Sequence, residues 1–156
     1  MSNTESKRMA IPESAVMCQP SFIKQIEESI QDELSDVTFY SGIANESPDP
    51  ISRLIITSIV GDEYTHARTQ AALLHQLNPN APGSPPVPPP PNVGYVPDIQ
   101  TAIIGETSAV GRYAHLASLA PTLTVRYILT SILGDEYGHI RIWFALLQNL
   151  GPYVGT

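Results

Sequence analysis

The feature of this chain that most restricts its fold is an internal repeat. Sliding the sequence against itself by 73 residues aligns Ile30–Leu77 with Ile103–Leu150 without a gap, and 22 of the 48 aligned positions are identical. The densest block, TSIVGDEYTHAR at Thr57–Arg68, returns as TSILGDEYGHIR at Thr130–Arg141. Two long copies are too few for a solenoid, so the repeat indicates a duplicated supersecondary unit.

Apolar residues recur at spacings of three, four and seven in both copies, which predicts α-helices rather than strands. In the second segment of the first copy this stripe comprises Ile56, Ile59, Val60, Leu73, Leu74 and Leu77. Prolines at 48, 50 and 121 interrupt each copy near its middle, because proline breaks a helix interior. The sequence therefore predicts an all-α four-helix bundle made of two helical hairpins, with helices near residues 21–45, 50–77, 98–119 and 122–150.

The segment 78–97 joins the two copies and contains nine prolines, including an unbroken run at Pro88–Pro91. Such a segment favours polyproline II, and at about 3.1 Å per residue its length reaches roughly 60 Å. A helix of the predicted length spans only about 42 Å. We therefore expect a crossover along the bundle that closes hairpins 21–77 and 98–150 into one domain, 21–150. The alternative is a linker that lets hairpins of two chains pair in a swapped dimer. Residues 1–20 are expected to be disordered or loosely attached.

Composition excludes several classes of function. The net charge of −7 argues against nucleic acid and anionic membrane surfaces as partners. Cys18 is the only cysteine, so the chain can form neither an internal disulfide nor a four-cysteine metal site. We see no secretory signal and no run of about 18 apolar residues. These observations predict a cytoplasmic protein without a membrane segment.

Four glutamates occupy matched positions in the two hairpins. Glu33 and Glu63 lie 15 residues before and after Pro48, and Glu106 and Glu136 lie 15 residues before and after Pro121. On antiparallel helices these carboxylates stand level, about 22 Å from the turn. All four fall on the apolar faces, where an uncompensated charge costs several kcal/mol. Two divalent cations are the simplest way to neutralise them.

Two histidines complete the pattern. His66 follows Glu63 by three residues and His139 follows Glu136 by three, so each pair shares one helix face. A single Glu-x-x-His is more often a solvated face, but here it occurs twice beside two further glutamates. Carboxylate and imidazole together suit iron or manganese, and also zinc. The sequence predicts a dinuclear metal site with the ligands Glu33, Glu63, His66, Glu106, Glu136 and His139.

Polar residues near these ligands form a second set of candidates. Tyr40 and Tyr113 follow Glu33 and Glu106 by two helical turns. Each tyrosine is a candidate to hydrogen-bond a ligand of the opposite hairpin. The alternative is that both are core tyrosines without a role at the metals. Asp62 and Asp135 can orient a histidine across the bundle, although ion pairs with nearby arginines compete. The repeated glycines Gly61 and Gly134 suggest a close approach of helices near the metals. The unrepeated histidines, His75 and His115, are interpreted as surface residues.

These motifs resemble the ferritin-like superfamily, closest to rubrerythrin-type domains and bacterioferritin. One motif is similar to the Glu-x₆-Tyr of rubrerythrin helices and occurs here as Glu33/Tyr40 and Glu106/Tyr113. A second motif is similar to the Asp-Glu-x-x-His of bacterioferritin and occurs here at Asp62–His66 and Asp135–His139. The resemblance covers about residues 30–150. It implies two iron ions, an oxidoreductase that reduces hydrogen peroxide or oxygen or oxidises ferrous iron, and an external electron donor. It also implies a role in oxidative stress or iron handling. Manganese accepts the same ligands.

Departures from these families narrow what the resemblance implies. Rubrerythrins have a rubredoxin-like Cys₄ domain and an extra glutamate three residues after the third-helix ligand, where this chain has Ala109. No methionine follows Met17, so we expect no haem of the bacterioferritin kind. We expect a homodimer rather than a 24-subunit cage, because bacterioferritin's fifth helix has no counterpart after Leu150. Iron storage or delivery, and a non-catalytic metal clamp in an interaction protein, are the alternative functions.

Overall fold

The computed structural model describes residues 20–149, and within that range it contains helices but no strands. The helices are α1 Pro20–Asn45, α2 Pro50–Leu77, α3 Tyr95–Leu119 and α4 Leu123–Gln148. The predicted all-α four-helix bundle is confirmed, and every described boundary falls within three residues of its prediction. The expectation of a loosely attached N-terminal segment concerns residues outside the described range, apart from Pro20, which begins α1.

The largest boundary difference is at α3, which begins at Tyr95 and includes Pro97 in its first turn. A proline is tolerated there because the first-turn N–H groups have no acceptor within the helix. The buried Asp98 carboxylate accepts hydrogen bonds from the backbone N–H groups of Val93 (3.1 Å) and Gly94 (3.4 Å), just before the helix. Asp98 therefore fixes the start of α3. The proline-rich segment 78–97 alone had suggested a start at residue 98, three residues later.

Each hairpin is closed by the same contact. Arg53 Nε, at the start of α2, donates to the carbonyl of Ala44 near the end of α1 at 3.1 Å. Arg126 Nε, at the start of α4, donates to the carbonyl of Ala117 near the end of α3 at 3.2 Å. Each arginine is a second donor to a carbonyl in the last turn of a helix, beside a backbone N–H from the turn. The two copies of the repeat therefore build the same hairpin.

The proline-rich crossover runs along α1 from one end to the other. Gly83 N–H donates to Glu27 Oε1 at 3.0 Å near the start of α1, and Asn92 Nδ2 donates to the carbonyl of Phe39 at 3.3 Å near its end. Gly42 makes room for this contact, since a Cβ there would collide with the Asn92 amide. Because the crossover returns the chain to the end where α1 finishes, α3 runs antiparallel to α1. The bundle is complete within one chain.

The core consists of two apolar clusters, one in each half of the bundle. One contains Phe22, Ile26, Leu74, Leu116, Val125 and Leu129, with their neighbours. The other contains Phe39, Ile43, Ile56, Ile59, Ile99 and Leu146, with theirs. A fully buried side chain of this size contributes about 1.5–3 kcal/mol, so the two clusters can offset a costly polar layer between them. Within residues 20–149, no helix has the length and hydropathy required to cross a membrane.

Candidate metal centre

All six predicted ligands meet in the layer between the two apolar clusters, and none is more than 4% exposed. Their side chains form two overlapping groups in which every ligand atom lies within 4.8 Å of the others. One group contains Glu33, Glu63, His66 and Glu136, and the other contains Glu63, Glu106, Glu136 and His139. Because Glu63 and Glu136 belong to both groups, the arrangement can hold two cations that share these carboxylates.

The two shared glutamates divide their oxygens between the histidines. Glu63 places Oε2 3.3 Å from His66 Nδ1 and Oε1 2.9 Å from His139 Nδ1. Glu136 places Oε1 3.1 Å from His66 Nδ1 and Oε2 3.7 Å from His139 Nδ1. Each carboxylate therefore faces both halves of the centre, as a bridging ligand does.

The outer nitrogen of each histidine faces an aspartate of the other hairpin. His66 Nε2 lies 3.3 Å from Asp135 Oδ2, and His139 Nε2 lies 3.4 Å from Asp62 Oδ2. No arginine within residues 20–149 forms an ion pair with either aspartate. A carboxylate in this position fixes the ring orientation and tautomer of a ligand histidine. The structure thus brings both predicted aspartates to the histidines across the bundle.

Tyr113 contacts a ligand carboxylate of the opposite hairpin. Its hydroxyl donates to Glu33 Oε1, and its oxygen accepts from Gln70 Nε2 at 2.8 Å and from Ser29 Oγ at 3.1 Å. Burial and then the charge of Glu33 raise the pKa of Tyr113 well above its usual value, so the phenol keeps the proton that it donates. This network fixes one end of the centre.

The other end adds a second donor. Trp143 Nε1 donates to Glu106 Oε1 at 3.0 Å. Tyr40 packs edge-on against the Trp143 indole, with ring centroids 5.0 Å apart, and its hydroxyl also lies beside Glu106 of the opposite hairpin. Burial and then Glu106 raise the pKa of Tyr40 well above its usual value. The near-symmetry therefore extends to the two tyrosines, but Trp143 donates to a ligand and its repeat counterpart Gln70 does not.

Ser29, Gln70 and the polar role of Trp143 were not predicted from the sequence. Gln70 and Trp143 occupy the same position of the repeat, seven residues after Glu63 and Glu136. Seven residues are two helical turns, so both side chains had to lie on the ligand face. Their spacing was a usable signal, whereas Ser29 aligns with an alanine and gives none.

The expected close approach at Gly61 and Gly134 is wrong. A Cβ at either position would find no atom of the described residues within 4 Å, because both glycines lie on the exposed side of their helices. No contact among residues 20–149 accounts for the glycines. His75 and His115 are both exposed, in accord with their interpretation as surface residues.

The four glutamates of the ligand layer differ in pKa, and therefore in which of them hold a proton. Burial raises the pKa of Glu106 to about 9 and that of Glu33 well above its usual value. Burial also opposes ionisation of Glu63 and Glu136, but hydrogen bonds from both histidines outweigh it and lower the pKa of each. Burial disfavours histidinium, yet the surrounding carboxylates raise the pKa of His66 to about 12 and raise that of His139 as well.

These directions predict a proton count for metal binding. Without metal, Glu33, Glu106 and the two histidines hold four protons, and the two histidinium ions balance ionised Glu63 and Glu136. Two divalent cations in place of four protons leave the layer neutral again. We expect about four protons released per chain at neutral pH. Metal affinity should rise with pH, and less steeply once the pH passes about 9, because Glu106 has then lost its proton while the histidines keep theirs. A pH indicator in weakly buffered Zn²⁺ titrations measures the release; fewer than two protons would contradict this distribution.

A further observation supports the fit of the six ligand residues to divalent cations. Four of their buried atoms make no well-aligned hydrogen bond among residues 20–149, although the histidine nitrogens lie close to the carboxylate oxygens: Glu33 Oε2, Glu63 Oε1, Glu136 Oε1 and His139 Nδ1. Each buried polar atom without a partner costs about 1–3 kcal/mol, and these four converge on one layer. Coordination to a cation satisfies them, so these buried glutamates and histidines can hold metal ions.

The asymmetry around the ligands predicts unequal effects of two matched substitutions. Tyr113→Phe removes the donor to Glu33 and leaves Gln70 and Ser29 without their shared acceptor, so it is expected to lower the free energy of unfolding by about 1–3 kcal/mol. Tyr40→Phe, its counterpart in the repeat, should have a smaller effect because Trp143 still donates to Glu106. Urea denaturation of both variants measures the difference. Equal losses would contradict the asymmetric network.

No protein-family model and no curated protein matches this chain. Among solved structures, the chain is similar to a hypothetical protein from Pyrococcus furiosus, with a TM-score of 0.77 over 88% of this chain and 94% of that one. The two sequences are 17% identical, so the likeness shows the four-helix fold alone. Function is therefore argued from the residues of the centre.

Proposed function

We propose that this chain is a di-iron oxidoreductase of the ferritin-like superfamily, similar to rubrerythrin-type domains and bacterioferritin in its ligand set. The observation that carries the proposal is the pair of overlapping ligand groups that share Glu63 and Glu136. Carboxylate-rich sites with one imidazole per metal suit iron and manganese, and of these we propose iron. We propose hydrogen peroxide or oxygen as the oxidant.

Two bound ferrous ions can supply the two electrons that convert hydrogen peroxide and two protons into two water molecules, and an external donor returns those electrons. The chain's own residues bind, orient and shield. Glu63 and Glu136 would hold both ions, while Asp62 and Asp135 keep each imidazole turned with Nδ1 inward. Tyr113 holds a proton against Glu33 Oε1. The apolar clusters on both sides exclude bulk water, which strengthens these interactions.

Peroxide consumption by the iron-loaded protein tests this proposal. We expect it to consume peroxide, or to oxidise ferrous iron, faster than the same concentration of free iron. Glu63→Gln should abolish the excess rate, whereas Glu46→Ala, at an exposed glutamate outside the centre, should leave it unchanged. Tight metal binding with no faster turnover than free iron would reject the oxidoreductase and favour a metal clamp.

The assembly is a separate part of the proposal. We propose a homodimer that acts in the cytoplasm rather than a hollow cage that stores iron. Light scattering should give about twice the chain mass of 16.9 kDa. A mass of many chains together with iron retained far beyond two ions per chain would favour storage over turnover.

A further inference from the structure

The two faces of the ligand layer differ in how they are covered. On the side of α2 and α4, the histidine Nε2 atoms are covered by Asp62 and Asp135, which close that face with hydrogen bonds. On the side of α1 and α3, a cavity of about 260 Å³ lies under the proline-rich crossover.

The cavity has polar walls and an apolar roof. Asp32 and Asp36 line it from α1, Ser108 and Arg112 line it from α3, and Val87 with the adjacent prolines covers it from the crossover. Asp32 forms an ion pair with Arg112, so these two charges cancel. The remaining acidic group of the lining is the Asp36 carboxyl, which gives the cavity a net negative charge when it is ionised.

Two residues of the lining lie close in sequence to ligands. Asp36 follows Glu33 by three residues, less than one turn of α1. Burial, and then the charges of Glu63 and Glu136 against that of Arg112, raise the pKa of Asp36 to about 7. Gly105, which also lines the cavity, directly precedes Glu106.

Both aspartates of the cavity belong to the first copy only. The repeat places Ala109 where the first copy has Asp36, and Gly105 where it has Asp32. Gly105 has no side chain to narrow the cavity, and a Cβ there would stand 3.8 Å from the Tyr40 hydroxyl. The copies therefore differ at these two positions, whereas their ligands are identical.

We propose that the cavity beneath the crossover is the port by which divalent cations reach the centre, and that Asp36 is the carboxylate that passes them to Glu33. The port rests on the proposed metal centre. A carboxylate in the lining lets a cation exchange water for protein oxygen before it enters the layer, and oxygen ligands suit divalent cations that are still partly hydrated. Ser108 and the paired Asp32 and Arg112 serve as walls.

The rate of Co²⁺ uptake by the full chain, after chelation, tests the port. Stopped-flow absorbance at Co²⁺ d–d bands gives the rate, and absorbance at saturation gives the ions bound. Ser108→Trp should fill the cavity and slow uptake by on the order of tenfold, and Asp36→Asn, which keeps the shape, by several-fold. Both should still bind two Co²⁺ per chain. The matched control is Ser131→Trp, at an exposed serine of α4 beside a different surface depression, which should take up Co²⁺ at the wild-type rate.

Each other outcome has a distinct meaning. Wild-type uptake rates in folded Ser108→Trp and Asp36→Asn, with two ions bound, would overturn the port and leave the metal centre intact. Slower uptake in Ser131→Trp alone would also overturn it and place the route between α2 and α4. If the wild-type chain binds no Co²⁺, the metal centre itself fails. Should Ser108→Trp not fold, Asp36→Asn decides the question, because asparagine has nearly the same volume as aspartate.

Discussion

Replacing Glu63 with glutamine is expected to abolish tight binding of both metal ions, although the substitution changes one atom. Glu63 belongs to both ligand groups and directs one oxygen to each histidine. Glutamine removes the negative charge and offers only one oxygen. Removing a residue that only hydrogen-bonds to a metal ligand lowers metal affinity by roughly 10–100-fold. Because Glu63 is itself a ligand, the affinity should fall by more than that. Metal content after dialysis against a low-affinity chelator measures the effect.

The comparison with Glu33→Gln makes this prediction specific to a shared ligand. Glu33 belongs to one group only, so its substitution should release one ion and leave the second, held by Glu106 and His139, tightly bound. Both variants should keep the wild-type far-UV circular dichroism, because glutamine preserves the side-chain shape. If Glu63→Gln loses no more metal than Glu33→Gln, the carboxylate does not bridge.

Removing the metal from the wild-type chain is expected to lower its thermal midpoint by about 10–20 °C. A ligand at 100 times its dissociation constant stabilises the folded state by about 2.7 kcal/mol per site, and two sites give about 5 kcal/mol. For a chain of this size each kcal/mol shifts the midpoint by about 2–4 °C. Thermal scans before and after chelation, with metal added back, measure the shift.

A matched scan of Glu63→Gln separates stabilisation by metal from any effect of the chelator on the fold. That variant should melt at the same temperature with and without chelator, because it has little bound metal to lose. A wild-type midpoint that does not move on chelation, or a Glu63→Gln midpoint that moves as far as the wild type, would contradict stabilisation by this centre.

The four helices and their level glutamates were predictable because the sequence contains the same pattern twice, so that each copy supports the interpretation of the other. Each of the two ligand glutamates of one hairpin recurs in the other at the same distance from its turn proline, Pro48 or Pro121, and chance rarely produces that agreement. The helix ends were predictable for a similar reason, since proline restricts the backbone wherever it occurs. Only α3 began earlier than expected, because its start depends on the Asp98 carboxylate reaching back to Val93 and Gly94.

The groups that orient the ligands were less predictable because they are where the copies differ. Gln70 and Trp143 share one repeat position yet reach different targets: Gln70 donates to Tyr113, whereas Trp143 donates directly to Glu106. A pattern of spacings places a side chain on a face, but the length and shape of the side chain decide which atom it reaches. The cavity at Asp36 was missed for another reason, since it forms only where the crossover lies over α1 and α3.

Anomalous diffraction from crystals grown with ferrous iron, recorded on both sides of the iron absorption edge, tests the central claim most directly. We expect two anomalous peaks per chain inside the bundle, one beside Glu33 and His66 and one beside Glu106 and His139, with Glu63 and Glu136 contacting both. A single peak, or peaks only on the outer surface of the helices, would contradict a dinuclear centre built from these six residues.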